Sequence, residues 1–263
     1  MGYKSLNVAI FCTVFDLISN EDMDWFKDKI NYLEKHIKFN KVYLETFRSG
    51  KKIERDKLLK IKDFFNAKGI KTSGAITPMP NYDLELGYTS FCYNNTSQMQ
   101  LYNDVVKYTA EVFDEVIIDD FFFTNCKCDK CIKGKGDKDW NTYRLGLLKD
   151  FSNEIVKTAK SVNPKVNFII KYPNWYEEYQ NTGYNLKDQP KIFDMVYTGT
   201  ETRNPENTHQ HLQRYLSYFL MRYLENVKPG KNGGGWFDSI DCMYNMNSYP
   251  SRLVLLCFQR QKR

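Results

Sequence analysis

The chain has 263 residues, which is enough for one large domain with a substantial core. Hydrophobic residues make up 42% of the sequence and charged residues 27%, a composition typical of a globular protein and not of a disordered or membrane-embedded one. The net charge of +6 comes from 38 basic and 32 acidic residues spread along the chain, without the concentrated basic stripe of a nucleic-acid-binding protein. We therefore expect a single domain over residues 1–263 that binds neither nucleic acid nor a membrane.

The N-terminal segment places Lys4 ahead of a short apolar run that resembles a secretion signal. No small-residue cleavage site follows this run, so we interpret it as a β-strand. The chain contains seven cysteines, and three of them lie within six residues, which suits one metal ion better than a series of disulfides. Both features favour a reducing, cytoplasmic location.

Short apolar or β-branched runs alternate with longer amphipathic stretches, which is the pattern of repeated βα units. The predicted strands, in chain order, span Leu6 to Val14, Val42 to Phe47, Ile70 to Ile76, Glu115 to Phe121, Val166 to Tyr172, Met195 to Thr198 and Gly234 to Phe237. The predicted helices span residues 22–37, 56–67, 97–113, 140–161 and 208–227. The loop after the third strand is too long for a bare connector, so we expect it to be functional.

Seven βα units without a linker predict a (β/α)8 barrel of the TIM type and not an open doubly wound sheet. An open sheet would normally carry a phosphate-binding glycine after the first strand, but the turn from Phe15 to Ser19 has none. The segment from Leu253 to Phe258 is strand-like, yet it follows the seventh strand too closely for a parallel crossover. We therefore expect a barrel that is incomplete at its C-terminus, by truncation or a shifted reading frame, or one whose last segment packs unusually.

Barrel enzymes place reactive groups at the carboxyl ends of strands, so polar residues there are the candidates for chemistry. The candidates at or just past the predicted strand ends are Glu45, Arg48, Asp119, Asp120, Lys171, Glu201, Arg203, Asp238 and Asp241. Taken alone, each of these residues is equally well explained as a solvent-exposed charged side chain without a catalytic role. Carboxylates after the second, fourth, sixth and seventh strands together favour a site for acid–base chemistry.

Cleavage of a glycosidic bond requires two carboxyl groups across a pocket, about 5 Å apart for retention or roughly 6.5–9.5 Å for inversion of configuration. The fourth and sixth strands can supply such a pair. On the fourth strand, the period of two places Asp120 on the same face as Val116 and Ile118. Asp119 shares the other face with Ile117. This spacing leaves open which aspartate points into the barrel mouth, and we favour Asp120 because it is the outer one.

Aromatic residues accompany these carboxylates, and flat apolar rings beside hydrogen-bonding groups suit the faces of sugar rings. Filling the core is the commoner task of such side chains. We assign Tyr172, Trp175 and Trp236 to substrate binding, and core packing is the better interpretation of the triplet Phe121 to Phe123.

The cysteines form the sharpest pattern. Cys126, Cys128 and Cys131 form Cys-x-Cys-x-x-Cys and offer three thiolates to one ion, whereas structural zinc normally binds four ligands in a tetrahedron. We favour Cys92 as the fourth ligand, because its loop lies on the same rim of a barrel. The alternative fourth ligands are Asp129, His209 and His211. The competing interpretation is that all of these cysteines are free surface thiols.

A fourth strand that ends in an acidic pair and is followed by Cys-x-Cys-x-x-Cys resembles the β-galactosidase barrels of glycoside hydrolase family 42. In that family the strand ends in Asn-Glu, where the Glu is the general acid, and the cysteines bind zinc together with one upstream Cys. By position, Asp119-Asp120 stands at the Asn-Glu pair, and Cys92, Cys126, Cys128 and Cys131 stand at the zinc ligands. The resemblance covers roughly residues 90 to 150 and implies a glycoside-hydrolase-like barrel without a named substrate.

Our hypothesis from the sequence is a barrel glycosidase with Asp120 as nucleophile or general base and Glu201 as general acid. The residues expected to bind hydroxyls or tune this pair are Glu45, Arg48, Asp119, Lys171, Tyr172, Trp175, Arg203, Trp236 and Asp238. The cofactor expected is structural zinc, with none of organic type. The alternatives are a carbohydrate-binding barrel without catalysis and a metal-dependent hydrolase that uses the thiolate cluster.

Overall fold

The computed structural model describes residue 3 and residues 6–19, 22–83, 87–201, 215–238 and 255–260, with only the backbone described for 82–83, 87–88, 237–238 and 255–260. The barrel strands are β1 (Leu6–Cys12), β2 (Lys41–Arg48), β3 (Lys71–Ile76), β4 (Glu115–Ile118), β5 (Asn167–Tyr172), β6 (Met195–Gly199), β7 (Asn232–Asp238) and β8 (Leu255–Arg260). Two-residue strands occur at Lys51–Lys52, Tyr82–Asp83 and Gly87–Tyr88.

The helices lie between the strands, as the sequence predicts. They are α1 (Val14–Ser19), α2 (Met23–His36), α3 (Arg55–Ala67), α4 (Thr96–Val112), α5 (Asp129–Lys135), α6 (Trp140–Val162), α7 (Tyr179–Thr182), α8 (Gln189–Ile192) and α9 (Leu216–Val227), with a 3₁₀ turn at Tyr176–Glu178. No helix in these ranges has both the length and the apolar character needed to traverse a lipid bilayer.

Strands β1 to β7 pair in parallel, each with the next along the chain, which confirms the predicted barrel order. Strand β8 runs antiparallel to both β7 and β1 and joins the two ends of the sheet into a ring. An antiparallel partner needs no helical crossover, which accounts for the short connection after β7. The eighth position is therefore filled by an antiparallel strand and not by another βα unit.

Side chains alternate between the inside of the barrel and the layer of surrounding helices, as the period of two requires. The interior cluster comprises Ala9, Phe11, Tyr43, Ala75, Ile117, Ile169, Tyr197 and Trp236. The neighbouring residues Val116, Ile118, Phe168 and Ile170 pack outward in the larger cluster under the helices. This alternation aims Asp119 and Lys171, each two residues beyond an interior isoleucine, toward the mouth of the barrel.

The carboxyl ends of two strands lie two or more residues before their predicted positions. Strand β1 stops at Cys12 and not at Val14, because Val14 begins α1 and donates its N–H to Glu45 Oε2 at 2.7 Å. Strand β4 stops at Ile118, so Asp119 and Asp120 stand beyond its last ladder residue. Residues 208–214 of the fifth predicted helix lie outside the described part of the chain, and α9 begins at Leu216.

Candidate active site

The side chain of Lys171 lies at the centre of the barrel mouth with 1% of its surface exposed. Its Nζ is 3.0 Å from Asp119 Oδ1 and 2.9 Å from Asp120 Oδ2, and it also contacts Glu201 Oε1. The ring of Trp236 lies below, with its centroid 4.4 Å from Nζ. One ammonium group thus joins carboxylates that follow two different strands, β4 and β6.

Burial and charge act in opposite directions on Lys171. Removal from water disfavours the charged amine and lowers its pKa, but Asp119, Asp120 and Glu201 together raise the pKa well above its ordinary value. The ammonium therefore stays charged at neutral pH. A buried ammonium that lost these partners would carry a penalty of several kcal/mol.

Arg48 is the second cation of the mouth and connects β2 to β4. Its Nε donates to Glu45 Oε1 at 2.8 Å, and its Nη2 donates to Asp119 Oδ2 at 3.3 Å. Burial of Asp119 opposes its charge, but Lys171 and Arg48 overcome this effect and lower the pKa of Asp119 to about 2. Asp119 is therefore an ionised anchor between two cations and not a proton donor.

Glu45 is fully buried, and both of its carboxylate oxygens are held by protein groups. Oε2 accepts the N–H of Val14 at the start of α1, and Oε1 accepts from Arg48 and from the hydroxyl of Thr77. Burial, the largest influence, raises the pKa of Glu45. This placement does not support the predicted contact between Glu45 and a substrate; Glu45 orients Arg48 and α1 instead.

The structure brings both adjacent aspartates to the ammonium group. Asp119 follows the alternation of β4 and faces inward with Ile117, whereas strict alternation would turn Asp120 outward with Ile118. The ladder ends at Ile118, however, and a turn at Asp120 carries its carboxylate back to Lys171. Asp120 has the more exposed carboxylate, with 11% of its side-chain surface accessible against 7% for Asp119.

The remaining predicted site residues are not all brought together. Tyr172 is fully buried on the outer face of β5, where it packs against Tyr179 and Tyr184, so its placement does not support substrate contact. Trp175 is half-buried in the loop after β5. Arg203 lies outside the described residues, and Asp238 is described only as the last residue of β7.

Two neutral residues contribute to the site without having been predicted. The hydroxyl of Thr77, just after β3, contacts both Glu45 and Asp119. Gly199, the last residue of β6, leaves room for the carboxylate of Glu201, because a Cβ at this position would lie 2.8 Å from Glu201 Oε2. A search for polar residues after every strand, and not only for charged ones, would have included Thr77.

Four cysteines converge on the rim of the barrel. The Sγ atoms of Cys92, Cys126, Cys128 and Cys131 all lie within 4.8 Å of one another, and Cys92 Sγ is 3.6 Å from both Cys128 Sγ and Cys131 Sγ. These distances are too long for a disulfide bond. They match the roughly 3.8 Å between sulfurs of a tetrahedral zinc–thiolate site with Zn–S bonds of about 2.3 Å. The cluster is therefore a set of ligands that can hold a metal ion.

Burial raises the pKa of the Cys92 and Cys131 thiols, and hydrogen bonds from Asn94 oppose this effect. Asn94 Nδ2 donates to Cys131 Sγ at 3.2 Å, and the backbone N–H of Cys131 lowers the pKa of Cys128 to about 7. Cys92 fills the fourth place, as predicted. Of the alternative ligands, Asp129 is exposed and is not part of the described cluster, and His209 and His211 lie outside the described residues.

A TIM-type barrel with carboxylates gathered at the carboxyl ends of its strands is the architecture of barrel glycoside hydrolases. In agreement with this class, the sequence model of a family described as "Probable glycosyl hydrolase, catalytic domain" matches residues 1–262. The chain belongs to that family. The predicted resemblance to barrel glycoside hydrolases is thereby confirmed.

Several relatives extend this comparison. An uncharacterized protein of Saccharolobus solfataricus is 29% identical over an alignment of 230 positions, which covers 76% of this chain and 37% of that protein. A β-galactosidase from Rahnella sp. R3 superposes with a TM-score of 0.57 at 10% identity over 91% of this chain and 45% of its own. A β-galactosidase from the psychrophilic Marinomonas ef1 gives a TM-score of 0.55 at 10% identity over 87% of this chain and 47% of its own. The likeness shows the barrel fold, and the chain spans less than half the length of each relative.

Replacing Asp119 with Asn should lower the free energy of unfolding by about 2 kcal/mol at neutral pH, because folding lowers the pKa of this carboxyl from 3.8 to about 2. A depressed carboxyl pKa stabilises the fold above the unfolded value, and the contribution is lost as the pH falls toward the folded value. In urea unfolding, the difference in unfolding free energy between wild type and Asp119→Asn should reach its full value above about pH 4. It should shrink as the pH approaches about 2.

The exposed Asp63→Asn is the matched control and should change stability by no more than about 0.5 kcal/mol. A difference between wild type and Asp119→Asn that stays constant across the same pH range would contradict the ion pairing of Asp119.

Proposed function

We propose that this chain is the catalytic barrel of a glycosidase that cleaves O-glycosidic bonds with Asp120 and Glu201. The observation that carries the proposal is that both carboxylates contact the same buried ammonium, Lys171 Nζ. Each lies at the carboxyl end of its strand, where barrel enzymes hold their reactive groups. The family and the fold support this reaction class, and the shared contact with Lys171 supports these two residues.

The balance of charge supports different roles for the two acids. Asp119, Asp120 and Glu201 surround one ammonium, and Arg48 is shared between Asp119 and Glu45. Carboxyl groups therefore outnumber cations, which favours retention of a proton within the cluster.

Glu201 is the more enclosed of the two acids, with 3% of its side chain exposed against 11% for Asp120. We therefore assign the general acid to Glu201 and the ionised role to Asp120. When Glu201 transfers its proton to the leaving group, the ammonium of Lys171 stabilises the new carboxylate.

The spacing favours retention of configuration. Contacts to one ammonium bring the two carboxylates to within roughly 6 Å of each other, since each hydrogen bond is about 3 Å long. That separation is nearer to the ~5 Å of retaining enzymes than to the roughly 6.5–9.5 Å that leaves room for a water. Asp120 is accordingly proposed as the nucleophile.

Other predicted residues support this pair from different positions. Arg48 and Asp119 fix the charge beside Asp120. Trp236 is 1% exposed and lies against Lys171, so we assign it to holding the ammonium and not to stacking on a sugar. Arg203 and Asp238 stay proposed substrate contacts on their sequence positions after β6 and at the end of β7.

The amide variants Asp120→Asn and Glu201→Gln should each lower kcat on 4-nitrophenyl glycosides by about a thousandfold, because each removes a group that reacts in the transition state. The circular dichroism spectrum should be unchanged. The exposed control Asp63→Asn should keep wild-type kcat. Retained turnover in both amide variants would overturn the assignment, and an initial product of inverted configuration by proton NMR would exclude Asp120 as nucleophile.

We also propose that the four-cysteine cluster binds one structural zinc ion. Four thiolates complete a tetrahedron and leave no coordination position for water, which favours a role in holding loops together over catalysis at the metal. Cys92 comes from the loop before α4, Cys126 and Cys128 come from the segment before α5, and Cys131 lies in the first turn of α5. Zinc would therefore tie the loop after β3 to the loop after β4, which carries Asp120.

Metal analysis by inductively coupled plasma mass spectrometry should find about one zinc per chain, as expected for one tetrathiolate site. Cys131→Ser should lose the zinc and lower the melting temperature, because bound metal stabilises the fold that binds it. Cys12→Ala is the matched control, since Cys12 is a buried cysteine on β1 outside the cluster. Equal zinc content in Cys131→Ser and wild type would overturn the proposed site.

A further inference from the structure

Five aromatic side chains are exposed on α9, at its N-cap and on the 3₁₀ turn after β5. This aromatic patch consists of Tyr176, Tyr215, Tyr218, Phe219 and Tyr223, whose exposed fractions range from 36% to 71%. Large exposed apolar groups are usually scattered singly on a protein surface, and a contiguous set marks a binding surface.

The patch is held in a fixed arrangement. The ring of Phe219 lies 5.6 Å from that of Tyr176 and 5.9 Å from that of Tyr223, with only 10° between the planes of the latter pair. Leu220 and Leu224 on the same helix are fully buried and anchor α9 to the barrel. The exposed rings are therefore preorganised and need little ordering when a ligand binds.

A series of rings connects the patch to the mouth of the barrel. Phe121 lies 5.8 Å from the guanidinium of Arg48, and its ring is 6.3 Å from that of Phe123. Phe123 in turn is 5.8 Å from Trp175, the neighbour of Tyr176 in sequence. These connecting rings are half-buried, whereas the patch is exposed. The series begins at the proposed catalytic centre and ends on the outer surface.

We propose that a carbohydrate chain of several sugar units binds along these rings, so that the substrate is an oligosaccharide or polysaccharide. The proposal rests on the proposed glycosidase function and adds the substrate class. Sugar rings carry apolar C–H faces and hydroxyl edges, which match aromatic faces with polar tips.

The chemistry of the patch favours an uncharged, water-soluble ligand. Four of its five members are tyrosines, whose hydroxyl groups can hydrogen-bond to sugar hydroxyls. The charges within α9 are one Arg222 and one Glu225, so the helix offers neither a cationic nor an anionic surface. A chain of neutral sugars meets both conditions.

The test is affinity electrophoresis of the whole chain in gels that contain soluble β-glucan, galactan, glucomannan or xylan. At least one polysaccharide should retard the wild-type chain, and Tyr218→Ser/Phe219→Ser should bind that polysaccharide about tenfold more weakly through the loss of two stacking surfaces. Tyr32→Ser is the matched control, because Tyr32 is a 63% exposed tyrosine on α2, away from the patch. It should bind like wild type.

Absence of retardation by all four polysaccharides would overturn the proposal, as would equal retardation of the double variant and wild type. A double variant that changes only the mass measured by light scattering would assign the patch to self-association instead. Binding is independent of turnover, so Asp120→Asn should still be retarded. If both amide variants keep their turnover while the polysaccharide still binds, only the catalytic proposal is refuted.

Discussion

The ammonium group of Lys171 cannot lie at a position with 1% exposure without negative charge around it, because moving an ion out of water costs several kcal/mol. That requirement draws Asp119, Asp120 and Glu201 together from the ends of β4 and β6. Arg48 extends the network to β2 through Asp119. The arrangement of charged groups at the barrel mouth therefore depends on one buried cation. The proposed roles of Asp120 as nucleophile and Glu201 as general acid depend on the same cation.

Most of the fold could be predicted from local patterns, because alternation with a period of two and helical stripes depend on neighbouring residues. The strand ends could not. Strand β1 stops before Val14 because the N–H of Val14 donates to Glu45, a residue 31 positions away in the sequence. The placement of β8 depends on antiparallel pairing with both β1 and β7, which only the closed ring makes available.

The charged members of the site were predictable because they lie at or just past the carboxyl ends of strands, and the cysteines because their spacing suits one ion. The sequence could not decide between Asp119 and Asp120, since the answer depends on where the ladder of β4 ends. The structure places Tyr172 on the outer face of β5, and alternation already indicates this: if Lys171 points inward, its neighbour points outward. Both carboxylate oxygens of Glu45 accept hydrogen bonds from protein donors. These are tertiary contacts, which no local sequence pattern reveals.

The most direct measurement is the free energy of unfolding of Lys171→Met as a function of pH. At pH 7 we expect a loss of about 3 kcal/mol or more, because Asp119, Asp120 and Glu201 lose their shared cation. The loss should shrink toward pH 4, where carboxyl groups take up protons. The exposed Lys60→Met should stay within about 0.5 kcal/mol of wild type throughout. A Lys171→Met variant as stable as wild type at pH 7 would contradict the central role of this ammonium.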